Sequence, residues 1–138
     1  MQILVIDGQG GGIGKCLIEK LRQAMPQAQI VAVGTNSLAT SAMLKAGASV
    51  GATGENPAVF NAKSADVIAG PIGIIMANAM WGEITPAMAA AVSGSPAQKV
   101  LIPIEKCRIH VAGNVEKPLT KYIEEAVAAI QLFMQESM

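Results

Sequence analysis

The chain opens on the unbroken apolar run Ile3-Leu4-Val5-Ile6, part of a strand-length stretch over residues 2–6 that stops at Asp7-Gly8. A run of that length without polar alternation reads as a strand buried on both faces, the mark of a parallel sheet. Beyond the glycines that follow, Ile13, Leu17, Leu21 and Met25 recur every four residues, while Lys15, Glu19, Lys20 and Arg22 fall elsewhere. That spacing predicts an amphipathic helix ended near Pro26. Residues 30–33 predict the next strand, residues 37–46 a helix stopped by Gly47, and residues 48–50 a short third strand.

The alternation continues. Asn56-Pro57 pairs an N-cap residue with proline at the first helical position, which predicts a short helix through Phe60 before a fourth strand over residues 66–69. Pro71 ends that strand. Residues 72–80 predict a helix, although Ile74-Ile75-Met76 also reads as strand, and Thr85-Pro86 repeats the cap-and-proline signal for a helix over residues 87–92. Residues 99–104 predict another strand. Residues 108–111 predict an antiparallel edge strand beside it, because Lys106, Arg108 and His110 alternate with Cys107, Ile109 and Val111. Pro118 opens a last helix with Leu119, Ile123, Val127, Ile130 and Met134 on one side and Lys121, Glu124, Glu125 and Gln131 on the other.

Strands alternating with helices through short connections call for a Rossmann-like, doubly wound α/β fold. Its sheet is mostly parallel, with helices on both faces and an antiparallel edge strand. At 138 residues the expectation is a single nucleotide-binding domain over residues 1–138. With 51% hydrophobic and 14% charged residues the chain carries enough apolar surface to fold. Ten basic residues balance ten acidic ones, which argues against general affinity for nucleic acid or an anionic membrane.

The most apolar of the long uncharged runs, residues 67–82, is broken by Gly70, Pro71, Gly73 and Asn78 and falls short of the about 20 apolar residues a membrane span needs. The chain begins directly on strand-like sequence, so no secretory signal is expected. Cys16 and Cys107 lack the spacing of a disulfide scaffold or a zinc site, and a reduced, cytoplasmic chain fits them.

In such sheets ligands sit beyond the carboxyl ends of the strands where strand order reverses, which directs attention to residues 8–14 and 70–73. Asp7-Gly8-Gln9-Gly10-Gly11-Gly12-Ile13-Gly14-Lys15 sets five glycines between a buried strand and an amphipathic helix. Glycine permits close backbone approach, and the helix start offers free N–H groups and the positive end of the dipole, a combination suited to phosphate. Gly8, Gly12 and Gly14 match the Gly-x-x-x-Gly-x-Gly spacing of short-chain dehydrogenases, so the segment resembles their NAD(P)-binding turn. The stricter Gly-x-Gly-x-x-Gly form fails because Ile13 takes its last glycine. Gly11-Gly12-Ile13-Gly14-Lys15 also resembles the end of the deviant Walker motif of partitioning-type ATPases. There Cys16 replaces the hydroxyl that should hold magnesium, and no later strand supplies the completing aspartate.

The remaining candidates follow from the same strand ends. Thr35 and Asn36 close the second strand where an NAD site carries an acid, so NAD or NADP stays open, and Ser37 reads equally as a helix cap. Thr53, within Gly51-Ala52-Thr53-Gly54-Glu55-Asn56, and the pair Gly70 and Pro71 are candidates to line a nucleotide cleft. Asp7 reads either as a ribose acceptor or as the cap of its own turn. Met76, Met80, Trp81 and Met88 suggest a subunit contact and a homodimer. An oxidoreductase is the rival reading, drawing on Asn78, Glu83, Cys107 or His110. Tyr122 lacks a lysine four residues on, so the Tyr-x-x-x-Lys pair of short-chain dehydrogenases is absent.

Taken together, the Asp7 to Gly14 loop, Gly34-Thr35-Asn36, residues 51–56 and Gly70-Pro71-Ile72-Gly73 resemble one small bacterial family known as a domain of unknown function. The resemblance spans nearly the whole chain and implies a short stand-alone protein without an assigned activity. The leading expectation is a protein that binds a dinucleotide or related nucleotide in a sensing or regulatory role. A small NAD(P)-dependent oxidoreductase with its site at the dimer interface, a P-loop-like triphosphate binder and a ligand-free assembly subunit are the alternatives.

Overall fold

A computed structural model describes residues 1–104 and 109–136. The elements run β1 (Gln2–Asp7), α1 (Gly12–Ala24), β2 (Gln29–Gly34), α2 (Ser37–Ala46), β3 (Val50–Thr53), α3 (Glu55–Ala62), β4 (Val67–Pro71), α4 (Pro86–Ser93), β5 (Gln98–Ile102) and α5 (Leu119–Glu136). A single 3-10 turn, Ile72–Ile75, follows β4. The sheet has five strands in the order β3-β2-β1-β4-β5, and every pairing is parallel.

Alternate residues of each central strand feed two cores, as a strand buried on both faces requires. Ile3 and Val5 of β1 join Leu17, Ile18 and Leu21 of α1, Met43 of α2 and Ile123, Val127 and Ile130 of α5. Leu4 and Ile6 join Ala58 and Ala62 of α3, Ile74, Ile84, and Met88 and Val92 of α4. Helices therefore cover both faces, and strand order reverses between β1 and β4. The glycine segment between β1 and α1 opens at that reversal. Among the described residues no helix is long and apolar enough to cross a membrane.

Several expectations change, among them the N-cap of α3, which is Gly54 rather than Asn56. Among the described residues no antiparallel edge strand stands beside β5: Ile109, His110 and Val111 are exposed and belong to no strand, and Cys107 and Arg108 lie outside the described residues. Polar and apolar alternation over four residues does not by itself place a segment in a sheet, and here Ile109, His110 and Val111 all line a cleft with Ile104 and Tyr122. The helix expected over residues 72–80 is one 3-10 turn followed by tight turns, because Asn78, Met80, Trp81 and Gly82 all have positive φ (67°, 58°, 58° and 88°). A right-handed helix cannot hold such residues. The third strand falls at Val50–Thr53 rather than residues 48–50, in register with Val31 to Gly34. Met88 is also buried in the core rather than offered to a partner.

Candidate functional site

The loop is built around two carboxylates. Asp7, the last residue of β1, is buried; its Oδ1 accepts the Gly8 amide at 2.8 Å and its Oδ2 the Gly14 amide at 2.7 Å. It is thus the cap of its own turn, one of the two roles the sequence left open. Burial pushes its carboxyl above the ordinary range. The amides of Gly14, Gly8 and Ile13 pull the other way, and the nearby charge of Glu83 adds to the rise.

Gly11, the N-cap of α1, has φ +74°, and the chain closes on itself through Gly11 N–H to Gly8 O (2.9 Å) and Lys15 N–H to Gly11 O (2.8 Å). Three of the five glycines are required by this packing. A Cβ on Gly8 would meet Met80 Sδ and Thr35 Oγ1 at 2.7 Å, one on Gly11 would meet the Ala39 backbone at 2.9 Å, and one on Gly14 would meet Met43 Sδ at 2.6 Å and Asp7 Cβ at 3.0 Å. Gly10 and Gly12 differ. A Cβ on either meets nothing within 4 Å, and neither has positive φ. Their N–H groups take no partner among the described residues, and Gly12 is the first residue of α1, where no intrahelical acceptor exists.

The second carboxylate arrives from the other side of the crevice. Glu83 Oε1 accepts Thr35 Oγ1 at 2.5 Å, the Gln9 amide at 2.8 Å and Asn36 Nδ2 at 3.0 Å. Partial burial raises the Glu83 carboxyl, but the hydrogen bonds from Thr35, Gln9 and Asn36 outweigh it and hold the group below its ordinary value. Asn36 is also the N-cap of α2, its Oδ1 accepting the Ala39 amide at 2.9 Å, while its Nδ2 donates to Gln9 O at 3.0 Å.

Gly8, Gln9, Gly10, Gly11, Gly12, Thr35 and Asn36 therefore come together at one mouth. Gly14 lies beneath it against Asp7. Ile13 is half-buried and packs on the core of α1 and α5, and Lys15 points outward on α1. Thr53 sits one strand further out, its hydroxyl 2.7 Å from that of Thr40. Gly70 and Pro71 are buried at the end of β4, where a Cβ on Gly70 would collide with the Ile6 carbonyl. Cys16 packs half-buried against the core.

Of the residues named for catalysis, Glu83 is at the mouth, Asn78 is exposed, and Cys107 lies outside the described residues. His110 lines a separate cleft of about 360 Å³ with Asn114, Lys117 and Tyr122. Sequence reasoning missed the meeting of Glu83 with Thr35 and Asn36 across about fifty residues of chain. Its one sequence signal is that Glu83 is the sole charge in a long apolar stretch.

Among curated proteins no relative matches. Among solved structures the chain is similar to one described as the crystal structure of a dodecameric FMN-dependent Ubix-like decarboxylase from Escherichia coli O157:H7. The match has 14% identity and a TM-score of 0.48, and covers 100% of this chain and 95% of that one. A family model described as Domain of unknown function (DUF3842) matches residues 2–135, and the chain belongs to that family.

Proposed function

We propose that this protein binds a nucleotide at the carboxyl edge of its sheet, with a phosphate seated on the glycine loop. Gly10 and Gly12 carry this reading. The fold needs neither glycine for space or for conformation, and both present N–H groups without a partner among the described residues, beside the positive end of α1. Open space over two glycines with free donors is what a ligand backbone contact would use.

Within that reading the ligand is a dinucleotide of the NAD or NADP type, since dinucleotides bind at the strand-order reversal of such sheets, where this loop lies. The role is sensing or regulation within a single-domain, cytoplasmic homodimer. A magnesium triphosphate fits less well, because Cys16, at the position of the metal-holding hydroxyl, packs against the core. Exposed Trp81, on the turn that carries Glu83, supports the homodimer.

Thermal shift with NAD, NADP, FMN, ATP and ADP tests the reading. A ligand at about 100 times its dissociation constant stabilises the fold by roughly 2.7 kcal/mol. The expected result is a shift with a dinucleotide that is lost in Gly12→Val, whose added bulk projects into the open space. No shift with any of the five ligands would refute it.

A further inference from the structure

Glu83 occupies a place that the sequence leaves blank. A nucleotide seated on the loop after β1 runs its ribose toward the end of the adjacent strand, where an acid in dinucleotide sites accepts the ribose hydroxyls. Here the end of β2 reads Gly34-Thr35-Asn36 and holds no acid. The carboxylate bonded to Thr35 and Asn36 at that spot comes instead from residue 83, after β4.

Its setting is that of a positioned acceptor. Oε1 is saturated by three donors, one from the glycine loop and two from the end of β2, at 2.8, 2.5 and 3.0 Å. Oε2 has no partner among the described residues, and the residue is half-exposed. The turn that delivers it is built rather than slack. Asn78 N–H donates to Ile84 O at 2.7 Å, Ile84 N–H returns to Ala79 O at 3.1 Å, and Glu83 N–H closes on Met80 O at 3.1 Å. Ile84, the next residue, is fully buried.

We infer that Glu83 is the specificity-determining residue of the site: through Oε2 it accepts the 2′-hydroxyl of a ligand ribose and excludes a ribose that carries a 2′-phosphate. A hydroxyl donates to a carboxylate and suits the open oxygen. A phosphate dianion at the same place offers no donor and brings like charge against a carboxylate that three donors keep ionised. The inference rests on the nucleotide reading and narrows its ligand to an unphosphorylated vicinal diol, NAD rather than NADP.

Calorimetric titration of the full chain with NAD, NADP, 5′-AMP and 2′-deoxy-5′-AMP tests it, on wild type and on Glu83→Gln. Glutamine keeps an oxygen for Thr35 and Gln9 but turns an amide donor outward. The expected result is NAD binding at least about tenfold tighter than NADP, and AMP tighter than its deoxy form, since like charges juxtaposed at a site cost heavily. In Glu83→Gln the NAD to NADP ratio should fall to about threefold or less.

If wild type binds none of the four, the dinucleotide reading fails and this inference with it. If NAD and NADP bind wild type equally, the nucleotide reading stands and the role of Glu83 is overturned. Discrimination that persists in Glu83→Gln overturns it too. Should Glu83→Gln fail to fold, as read by circular dichroism, Glu83→Asp takes its place: a carboxylate drawn back by one methylene should lose the AMP over deoxy-AMP preference, and a retained preference would refute the assignment.

Discussion

Gly12 and Gly14 stand two residues apart in the first turn of α1, yet the structure gives them opposite reasons for being glycine, and alanine substitution separates those reasons. Both sit at helical positions, so alanine removes the same backbone freedom from the unfolded chain and gains about 0.5–1 kcal/mol at either one. At Gly12 nothing opposes that gain, because an added Cβ meets no atom within 4 Å. At Gly14 the Cβ would lie 2.6 Å from Met43 Sδ, 3.2 Å from Met43 Cγ and 3.0 Å from Asp7 Cβ. Met43 is fully buried and Asp7 is tied to the Gly8 and Gly14 amides, so neither can give way cheaply. Overpacking of this kind costs about 1–3 kcal/mol.

Propensity cancels between the two variants, which leaves Gly12→Ala more stable than Gly14→Ala by about 1–3 kcal/mol, with Gly12→Ala at or above wild type. Urea unfolding followed by far-ultraviolet circular dichroism reads this directly, as a shift in midpoint at constant slope. Near-equal stabilities of the two variants would refute the reasoning, and so would a Gly12→Ala variant clearly weaker than wild type, since an unseen contact would then explain that glycine without a ligand.

Gly34→Ala should be more damaging than either, because its Cβ would collide with the Thr40 hydroxyl and lie 2.5 Å from the Thr40 amide nitrogen and 2.8 Å from Asn36 O; a loss of about 3 kcal/mol or more in urea unfolding is expected, and a loss below about 1 kcal/mol would contradict the close packing of α2 on β2. The Glu83 carboxyl is held below its ordinary pKa, so its ionised form contributes stability above the ordinary glutamate range, and that contribution disappears as pH falls through the lowered value. Melting temperatures of wild type and Glu83→Gln should therefore converge on going from about pH 7 down to about pH 3, and a gap that widens would reverse the assigned sign. Trp81 is 98% exposed at φ +58°, so Trp81→Gly should leave stability equal or raise it by up to about 1 kcal/mol, while native mass spectrometry should show the proposed homodimer in wild type and monomer in the variant; an unchanged mass distribution would remove that side chain from the proposed interface.

What the sequence made legible follows the range of the interaction responsible. The five parallel strands' existence, α1 and α5 were readable because each is set by a local pattern: unbroken apolar runs for β1 and β4, a four-residue stripe for the helices, cap-and-proline at Thr85-Pro86. The turn through residues 76–83 was not, because its apolar residues satisfy the helix pattern while left-handed backbone at Asn78, Met80, Trp81 and Gly82 forbids the helix, and only Gly82 and, more weakly, Asn78 advertise that conformation. The site divides along the same line. The glycine loop announced itself, but its five glycines are one motif in sequence and two populations in space, three filled by Met80, Ala39 and Met43 from distant segments and two left open. The end of β2 carries no acid in its own stretch of sequence, yet a carboxylate stands there, because a side chain is placed by the fold and not by its neighbours in sequence: Glu83 reaches Thr35 only after the chain has crossed the sheet and come back through a turn whose shape no periodicity encodes.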